Sequence, residues 1–286
     1  MSSTLLQAAP AFTLTLFFIW AFSPLAIRIG LVDAPNHRKQ HDGSVPLVGG
    51  ISIYLALLVA TLVWDQTHDP GMRTDIINVF PVAGGMLVAL GMVDDRFHLS
   101  VFTRVLAEIV VALFVIEALD LRLANLGNLL GVGKIRLSDW LSYPFTVLII
   151  FVVINAYNML DGMDGLLGMI VLVTIFAFHL FSGLPPGLVT IVISASLAAF
   201  LTSNLRLAPF IPKSFLGDAG SKLLGFVVVV LVLSVTSVQV GEVRYIQPVT
   251  AAYLLGLPCS IWRSPPCAEF FGASRPSAPT THMFIT

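Results

Sequence analysis

The chain has 286 residues and a formal net charge of −1, and 57% of its residues are hydrophobic while 11% are charged. Its mean hydropathy is +0.92. Globular chains have roughly 45–50% apolar and about 25% charged residues, so a soluble fold of this size could not bury so much apolar surface. The composition predicts an all-α, polytopic transmembrane helical bundle. Two cysteines and no basic excess also exclude a disulfide scaffold and a nucleic-acid partner.

Nine apolar stretches are predicted to cross the bilayer, since a span needs about 20 mainly apolar residues. They cover residues 5–29, 47–64, 77–93, 101–119, 141–157, 166–183, 187–204, 222–240 and 248–262. Glu108 lies inside the fourth stretch. Because a charge at the bilayer centre costs about 2.5–3.5 kcal/mol on insertion scales, we expect Glu108 to face the bundle rather than lipid.

The odd-numbered connections between these stretches are predicted to be cytoplasmic, because lysine and arginine are more frequent near them. These residues are Arg28, Arg38, Lys39, Arg96, Arg104, Arg206, Lys213 and Lys222, against Arg73, Arg122, Lys134, Arg136 and Arg244 on the opposite side. The same connections contain the carboxylates Asp94, Asp95, Asp161, Asp164 and Asp218. The span count alone therefore brings these carboxylates to one membrane face.

The first connection, 30–46, is basic and interleaved with histidine, asparagine and glycine. A basic cluster beside a span is usually a topology signal or a contact with lipid headgroups. The alternative is that Arg38, Lys39 and His41 bind a diphosphate.

Two adjacent carboxylates, Asp94 and Asp95, follow the third stretch. One interpretation is a polar stop at the water boundary, with Arg96 neutralising the pair. The other is functional: adjacent carboxylates repel, so at least one pKa rises unless a cation is shared. Such a pair can hold Mg²⁺ or act as a base.

The fifth stretch leads into the polar sequence NAYNMLDGMDG, residues 155–165. Amide and carboxylate side chains recur at every third position, at Asn155, Asn158, Asp161 and Asp164. They would share one edge if the helix continued, whereas Gly162 and Gly165 favour a tight turn that a ligand can approach closely. So many polar groups beside an apolar span favour a binding site over a simple helix end.

The segment FLGDAGS, residues 215–221, precedes the eighth stretch. Its glycines are either plain turn residues before an N-cap at Ser221 or part of an anion site at a helix N-terminus. In the second case Asp218 supplies a metal ligand and Phe215 stacks on a flat base.

Together, carboxylates for Mg²⁺, basic side chains for phosphates and a membrane face indicate phosphoryl transfer onto a lipid. That reaction needs charge neutralisation and in-line positioning more than covalent machinery. A transporter is the alternative, since polar residues line such a pathway. The clustering of acids at one surface rather than at mid-membrane favours the transferase.

Four segments resemble the polyprenyl-phosphate N-acetylhexosamine-1-phosphate transferases of glycosyltransferase family 4. They are VDAPNHRKQHDGSVPLVGGISIY, GMVDDRF, NAYNMLDGMDGLLG and FLGDAGSKLLGF, in the order of the family. The first segment is more similar to the branch that uses UDP-GlcNAc than to the translocase branch.

The resemblance implies a multi-pass enzyme of the bacterial cytoplasmic membrane, with its active face in the cytoplasm. It would transfer N-acetylhexosamine-1-phosphate, with GlcNAc-1-phosphate preferred, from a UDP-sugar to undecaprenyl phosphate and release UMP. This is the first membrane step of cell-envelope polysaccharide synthesis. The resemblance implies Mg²⁺ as the cofactor, with Mn²⁺ able to replace it. It is also compatible with a homodimer. By residue, the resemblance implies catalytic Asp94 and Asp95, a metal ligand at Asp218, and a nucleotide-sugar site at Asn158, Asp161, Gly162, Asp164 and Phe215.

The resemblance ends near Pro258. Family members continue with a loop of the form SPFxPDxxHxHH and further spans, whereas a proline-rich polar stretch follows here. Regrouping the degenerate codons of 273–286 by one base permits the sequence VSPFRPDNTHVHH. We therefore expect a membrane-embedded transferase core at 1–258 and an out-of-frame, poorly ordered tail at 259–286.

This hypothesis predicts a one-base deletion near the codon of Pro258, which resequencing of the gene tests directly. An intact reading frame would contradict it. If the 286-residue chain is the product, the missing histidine loop leaves the phosphate side of the site open. The alternative function is then an inactive truncated family member, with weak or absent catalysis and poor stability; UMP release at ordinary rates from this chain would refute that expectation.

Overall fold

Nine helices make up most of the part of the chain that this computed structural model describes, residues 2–33, 44–67, 74–127, 135–237 and 248–262. They are α1 (Ser2–Ile29), α2 (Gly49–Thr67), α3 (Thr74–Phe97), α4 (Val101–Leu119), α5 (Asp139–Leu160), α6 (Leu166–Ser182), α7 (Leu188–Asn204), α8 (Gly217–Ser237) and α9 (Pro248–Trp262). The predicted phosphate-binding residues Arg38, Lys39 and His41 lie outside the described residues. So does the tail from residue 263 onward.

Most helix ends agree with the apolar stretches in the sequence. Helix α4 covers 101–119 as predicted, and α6, α7 and α9 differ from prediction by at most one residue. Helix α8 begins earlier than expected, at Gly217, so the interpretation of Ser221 as an N-cap is wrong. Ser221 lies inside the first helical turns, where its hydroxyl donates to the Gly217 carbonyl at 3.0 Å.

Within the described ranges, three helices are long and apolar enough to cross a membrane, over Gln7–Ile29, Asp139–Leu160 and Gly217–Thr236. Shorter apolar helical segments cover Gly49–Val63, Leu166–Ser182 and Leu188–Asn204. An all-α, membrane-like fold is therefore confirmed, whereas about nine spans remains a prediction.

Two short antiparallel hairpins, which the sequence patterns did not predict, lie at loops between helices. Strand β1 (Val32–Asp33) pairs with β2 (Val45–Pro46), and β3 (Asn125–Gly127) pairs with β4 (Ile135–Arg136). Strands of two or three residues are too short to show alternation in a sequence. The first hairpin also contacts the functional region, because the Phe215 amide donates to the Pro46 carbonyl at 3.1 Å.

Helix α8 is the central element of the bundle and contacts α2, α3, α5, α6 and α9. In its candidate span, 94% of the residues are buried. The valine-rich run 227–230 has no polar face, which is typical of a helix surrounded by other helices. The first turn of α8 is therefore held from several sides.

Glycines allow α2 and α3 to approach the first turn of α8 at backbone distance. A Cβ atom on Gly50 would lie 2.2 Å from the Gly220 nitrogen, and one on Gly91 would lie 2.3 Å from the Ala219 nitrogen. Any side chain at these crossings would force the helices apart. The close contact brings Asp218 beside the end of α3.

Candidate active site

The carboxylate of Asp95, at the end of α3, caps the N-terminus of α8. Its two oxygens accept the Asp218 amide at 3.1 and 3.2 Å. Gly217 precedes this amide with φ +66, and a Cβ there would lie 2.6 Å from an Asp95 oxygen. The glycine-rich segment thus has the geometry of an anion site at a helix N-terminus, and the anion it holds is a side chain of α3.

Asp94 and Asp95 lie beyond the apolar stretch 77–93, at the polar end of α3. Burial, followed by the nearby charge of Asp218, raises the pKa of Asp95 to about 7. Two carboxylates this close disfavour full ionisation of both unless a cation neutralises them. The arrangement therefore favours a proton or a cation in the centre.

Asp94 is a buried carboxylate with partners on both oxygens. Oδ1 accepts the Leu99 amide at 3.0 Å. Oδ2 accepts from the Arg104 guanidinium at 3.2 Å and from the Lys222 ammonium at 3.3 Å. Burial alone would raise the pKa of Asp94, but its hydrogen bond with Asp218 and the charges of Lys222 and Arg104 lower it. Asp94 is thus held in its charged form.

The interpretation in which Arg96 neutralises the aspartate pair is wrong. Arg96 points back to the first helix, where its Nε donates to the Ile29 carbonyl at 2.9 Å. Arg104 and Lys222 provide the charge at Asp94 instead. A residue adjacent on a helix points to a different side, which explains why the nearest arginine in sequence does not pair with the carboxylates.

Lys222 links three carboxylates and was not singled out by the sequence. It is 1% exposed, and its Nζ lies 3.3 Å from Asp94, 3.5 Å from Asp218 and 3.7 Å from Glu108. The signal for it was present in the sequence, because positions 218 and 222 share one helix face. Glu108 is also buried, which confirms that it faces the bundle.

The polar segment 155–165 ends in a turn rather than a continued helix. Helix α5 ends at Leu160, and the Gly162 amide donates to the Leu160 carbonyl at 2.8 Å. Asp161 and Gly162 lie in this turn. Just before it, the side-chain oxygen Oδ1 of Asn158 accepts a hydrogen bond from the Ser221 hydroxyl at 2.5 Å. This bond attaches the turn to the first turns of α8 and thus to the carboxylate centre.

Lys213 connects two predicted nucleotide-site residues that are far apart in sequence. Its Nζ forms an ion pair with Asp164 at 2.5 Å and lies 4.9 Å from the centroid of the Phe215 ring. The sequence did not single out Lys213. Its contacts bring Asp164 and Phe215 to one side of the site.

Buried Asn204, at the end of α7, fixes the two loops that carry these residues. Its Oδ1 accepts the Gly165 amide at 2.6 Å, and its Nδ2 donates to the Ser214 carbonyl at 3.0 Å. Gly165 has φ +73 and precedes α6, so a glycine is needed there to enter the helix. Asn204 thereby holds the 161–165 turn against the segment before α8.

The carboxylate centre fits a magnesium ion. In the described part of the chain, no three His, Cys, Asp or Glu side chains form a ready cage for a metal. Mg²⁺ does not need one, since it is usually bound by one or two carboxylates, water and substrate phosphates. Asp218 and Asp95 supply hard oxygen donors, and Asp218 remains 29% exposed and accessible.

A sequence model of the family described as Glycosyl transferase family 4 matches residues 77–236. This segment contains α3 to α8 with nearly all of the site described above. The chain belongs to this family.

Individual relatives have a more specific name. The undecaprenyl-phosphate alpha-N-acetylglucosaminyl 1-phosphate transferase of Yersinia pestis is 35% identical over 251 residues, 86% of this chain and 66% of that protein. Proteins of the same name from Escherichia coli K12 and Haemophilus influenzae are 33% and 35% identical over 86% and 82% of this chain. The chain spans about two thirds of the length of these relatives, 66% and 65% in the last two cases.

Replacing Asn204 by alanine should loosen the 161–165 turn and the segment before α8. Burying an unsatisfied donor or acceptor costs about 1–3 kcal/mol, so we expect a lower unfolding temperature in detergent and faster amide exchange at Gly165. Thr202→Ala is the matched control, because the Thr202 hydroxyl donates to carbonyls of its own helix. An Asn204→Ala variant with the unfolding temperature and exchange of the parent chain would contradict this role.

Proposed function

We propose that the chain transfers N-acetylhexosamine-1-phosphate, with GlcNAc-1-phosphate preferred, from a UDP-sugar to undecaprenyl phosphate and releases UMP. The main support for this proposal is that Asp94, Asp95 and Asp218 lie together at the start of α8. The 161–165 turn is attached to the same helix through Asn158. A carboxylate centre beside a polar loop is what phosphoryl transfer between two phosphates requires.

The UDP-sugar donor would bind on the side of the carboxylate centre that α5 and α7 form. Phe215 offers a ring for the uracil, and Asn158, Asp161, Gly162 and Asp164 offer polar groups around it. In this proposal Lys213 orients Asp164 and Phe215, to which it is already joined. Arg38, Lys39 and His41 are proposed to hold the diphosphate.

The acceptor would arrive from the lipid phase near the start of α4. Phe97, Val101 and Phe102 are exposed apolar side chains next to the polar end of α3. They suit contact with an isoprenoid chain. Arg104 is 35% exposed and already bound to Asp94, so it is placed to meet a phosphate whose lipid lies beside these side chains.

In the proposed reaction, an oxygen of the lipid phosphate attacks the β-phosphorus of the UDP-sugar. The bond from that phosphorus to the bridging oxygen breaks, and UMP leaves with the bond electrons. Asp94 and Asp95 orient the acceptor, and a proton that remains on its phosphate passes to this pair. Mg²⁺, or Mn²⁺ in its place, would be held by Asp218 and would neutralise charge on the diphosphate.

Replacing Asp218 by asparagine should slow the reaction strongly, because it removes the charge of the proposed metal ligand at nearly unchanged shape. Losing one electrostatic stabiliser of a transition state typically costs about 10²–10³-fold in rate, and we expect at least this loss for Asp218→Asn and for Asp94→Asn. The measurement is Mg²⁺-dependent UMP release by membranes given UDP-GlcNAc and undecaprenyl phosphate. Asp120→Asn is the control, since Asp120 is exposed at the far end of α4.

The assay compares the 286-residue chain with a version whose frame is restored after Pro258, because the tail hypothesis expects weak catalysis from the former. A panel of UDP-sugars in the same assay identifies the hexosamine. Absence of UMP release from the frame-restored protein, or full activity of Asp218→Asn, would contradict the proposal. Solute flux in liposomes without UMP release would support a transporter.

A further inference from the structure

A buried ion pair lies behind the carboxylate centre. Lys222 and Glu108 are each 1% exposed, and Lys222 Nζ lies 3.7 Å from Glu108 Oε1. That oxygen is buried and accepts no hydrogen bond, while Asn155 donates to the other oxygen at 2.5 Å. Glu108 is thus directed towards the ammonium and does not form a closed hydrogen-bonded pair with it.

Stability does not explain this pair. Buried ion pairs pay a desolvation cost that their attraction often fails to recover, and apolar side chains of similar volume are commonly as stable or more stable. The pair here also leaves a carboxylate oxygen unsatisfied, which adds to the cost. A role in the adjoining carboxylate centre explains the presence of these two buried charges better than stability does.

The ammonium of Lys222 bridges the two carboxylates that come from different helices. It lies 3.3 Å from Asp94 of α3 and 3.5 Å from Asp218 of α8. It thus opposes the mutual repulsion of these carboxylates without any bound ion. Glu108, on α4, lies 3.7 Å from the same ammonium.

Among the described residues, the carboxylates of this cluster outnumber the cations that face them. The carboxylates are Asp94, Asp95, Glu108 and Asp218, and the cations are Lys222 and Arg104. The excess of acidic groups favours a bound divalent cation. Removing the charge of Glu108 would make the cluster less negative, and removing that of Lys222 would make it more negative.

We propose that Lys222, balanced by Glu108, is a positioning residue and a built-in counter-charge of the carboxylate centre: it holds Asp94 and Asp218 together and sets the affinity of the centre for a divalent cation. This inference rests on the cation site of the proposed function. Glu108 acts through Lys222, with which it forms an ion pair at 3.7 Å.

The test is a double-mutant cycle read by Mn²⁺ binding to the purified full chain, with free Mn²⁺ measured by electron paramagnetic resonance. Glu108→Gln leaves the ammonium unbalanced, so the dissociation constant should rise about tenfold. Lys222→Met makes the centre more negative, so the constant should fall by a similar factor of about ten. The double variant restores the charge balance and should bind within about threefold of the parent.

Matched controls separate this effect from simple damage to the fold. Asp120 and Arg122 form an exposed ion pair at 3.0 Å, and Asp120→Asn and Arg122→Met should leave the constant unchanged. Thermal unfolding without cation reports folding of each variant. Glutamine keeps the shape of Glu108 and can still accept from Asn155, so Glu108→Gln decides the question even if Lys222→Met does not fold.

Shifts of opposite sign that cancel in the double variant support the inference. Equal constants in all folded variants, shifts of the same sign, or no Mn²⁺ binding to the folded parent would overturn it. UMP release is measured in parallel on the frame-restored protein that carries the same substitutions. Charge-dependent Mn²⁺ binding without UMP release would support this inference and contradict the proposed function. Mg²⁺-dependent UMP release with unchanged Mn²⁺ dissociation constants would support the proposed function and overturn this inference.

Discussion

The first turn of α8 depends on one electrostatic arrangement: carboxylates from α3 and α8 meet around a buried ammonium. Asp95 caps the helix through the Asp218 amide, and Lys222, one turn later, faces back to Asp94. Like charges this close would separate in the absence of a cation. Lys222 supplies part of that charge from inside the fold, and the remaining negative charge makes the centre suited to a divalent ion.

Contacts with other helices and loops of the bundle hold these carboxylates close together. Glycine contacts at Gly50 and Gly91 let α2 and α3 reach the backbone of α8, so Asp218 lies beside Asp95 instead of a side-chain length away. Asn158 ties the turn after α5 to Ser221, and Asn204 ties the same turn to the segment before α8. Residues far apart in sequence are thereby fixed around one helix N-terminus, as an in-line transfer between two bound phosphates would require.

Much of this could be predicted from the sequence. Long apolar runs located the helices, and counting connections predicted that the aspartates share one face, because each apolar run would reverse the chain across the membrane. What could not be predicted depends on contacts between helices. Arg96 is adjacent to Asp95 yet bonds to Ile29, since helix geometry rather than sequence distance decides its direction. Lys222 was counted as a topology charge, and its burial follows only from the packing of α3, α4 and α8.

Pulsed electron paramagnetic resonance of Mn²⁺ can test the proposal that a divalent cation and the diphosphate of a nucleotide sugar meet at Asp218. The frame-restored chain is purified in detergent and given Mn²⁺ with UDP-GlcNAc. We expect a ³¹P hyperfine coupling to the bound Mn²⁺ that disappears in Asp218→Asn. Mn²⁺ bound without a ³¹P coupling, or a coupling that persists in Asp218→Asn, would contradict it.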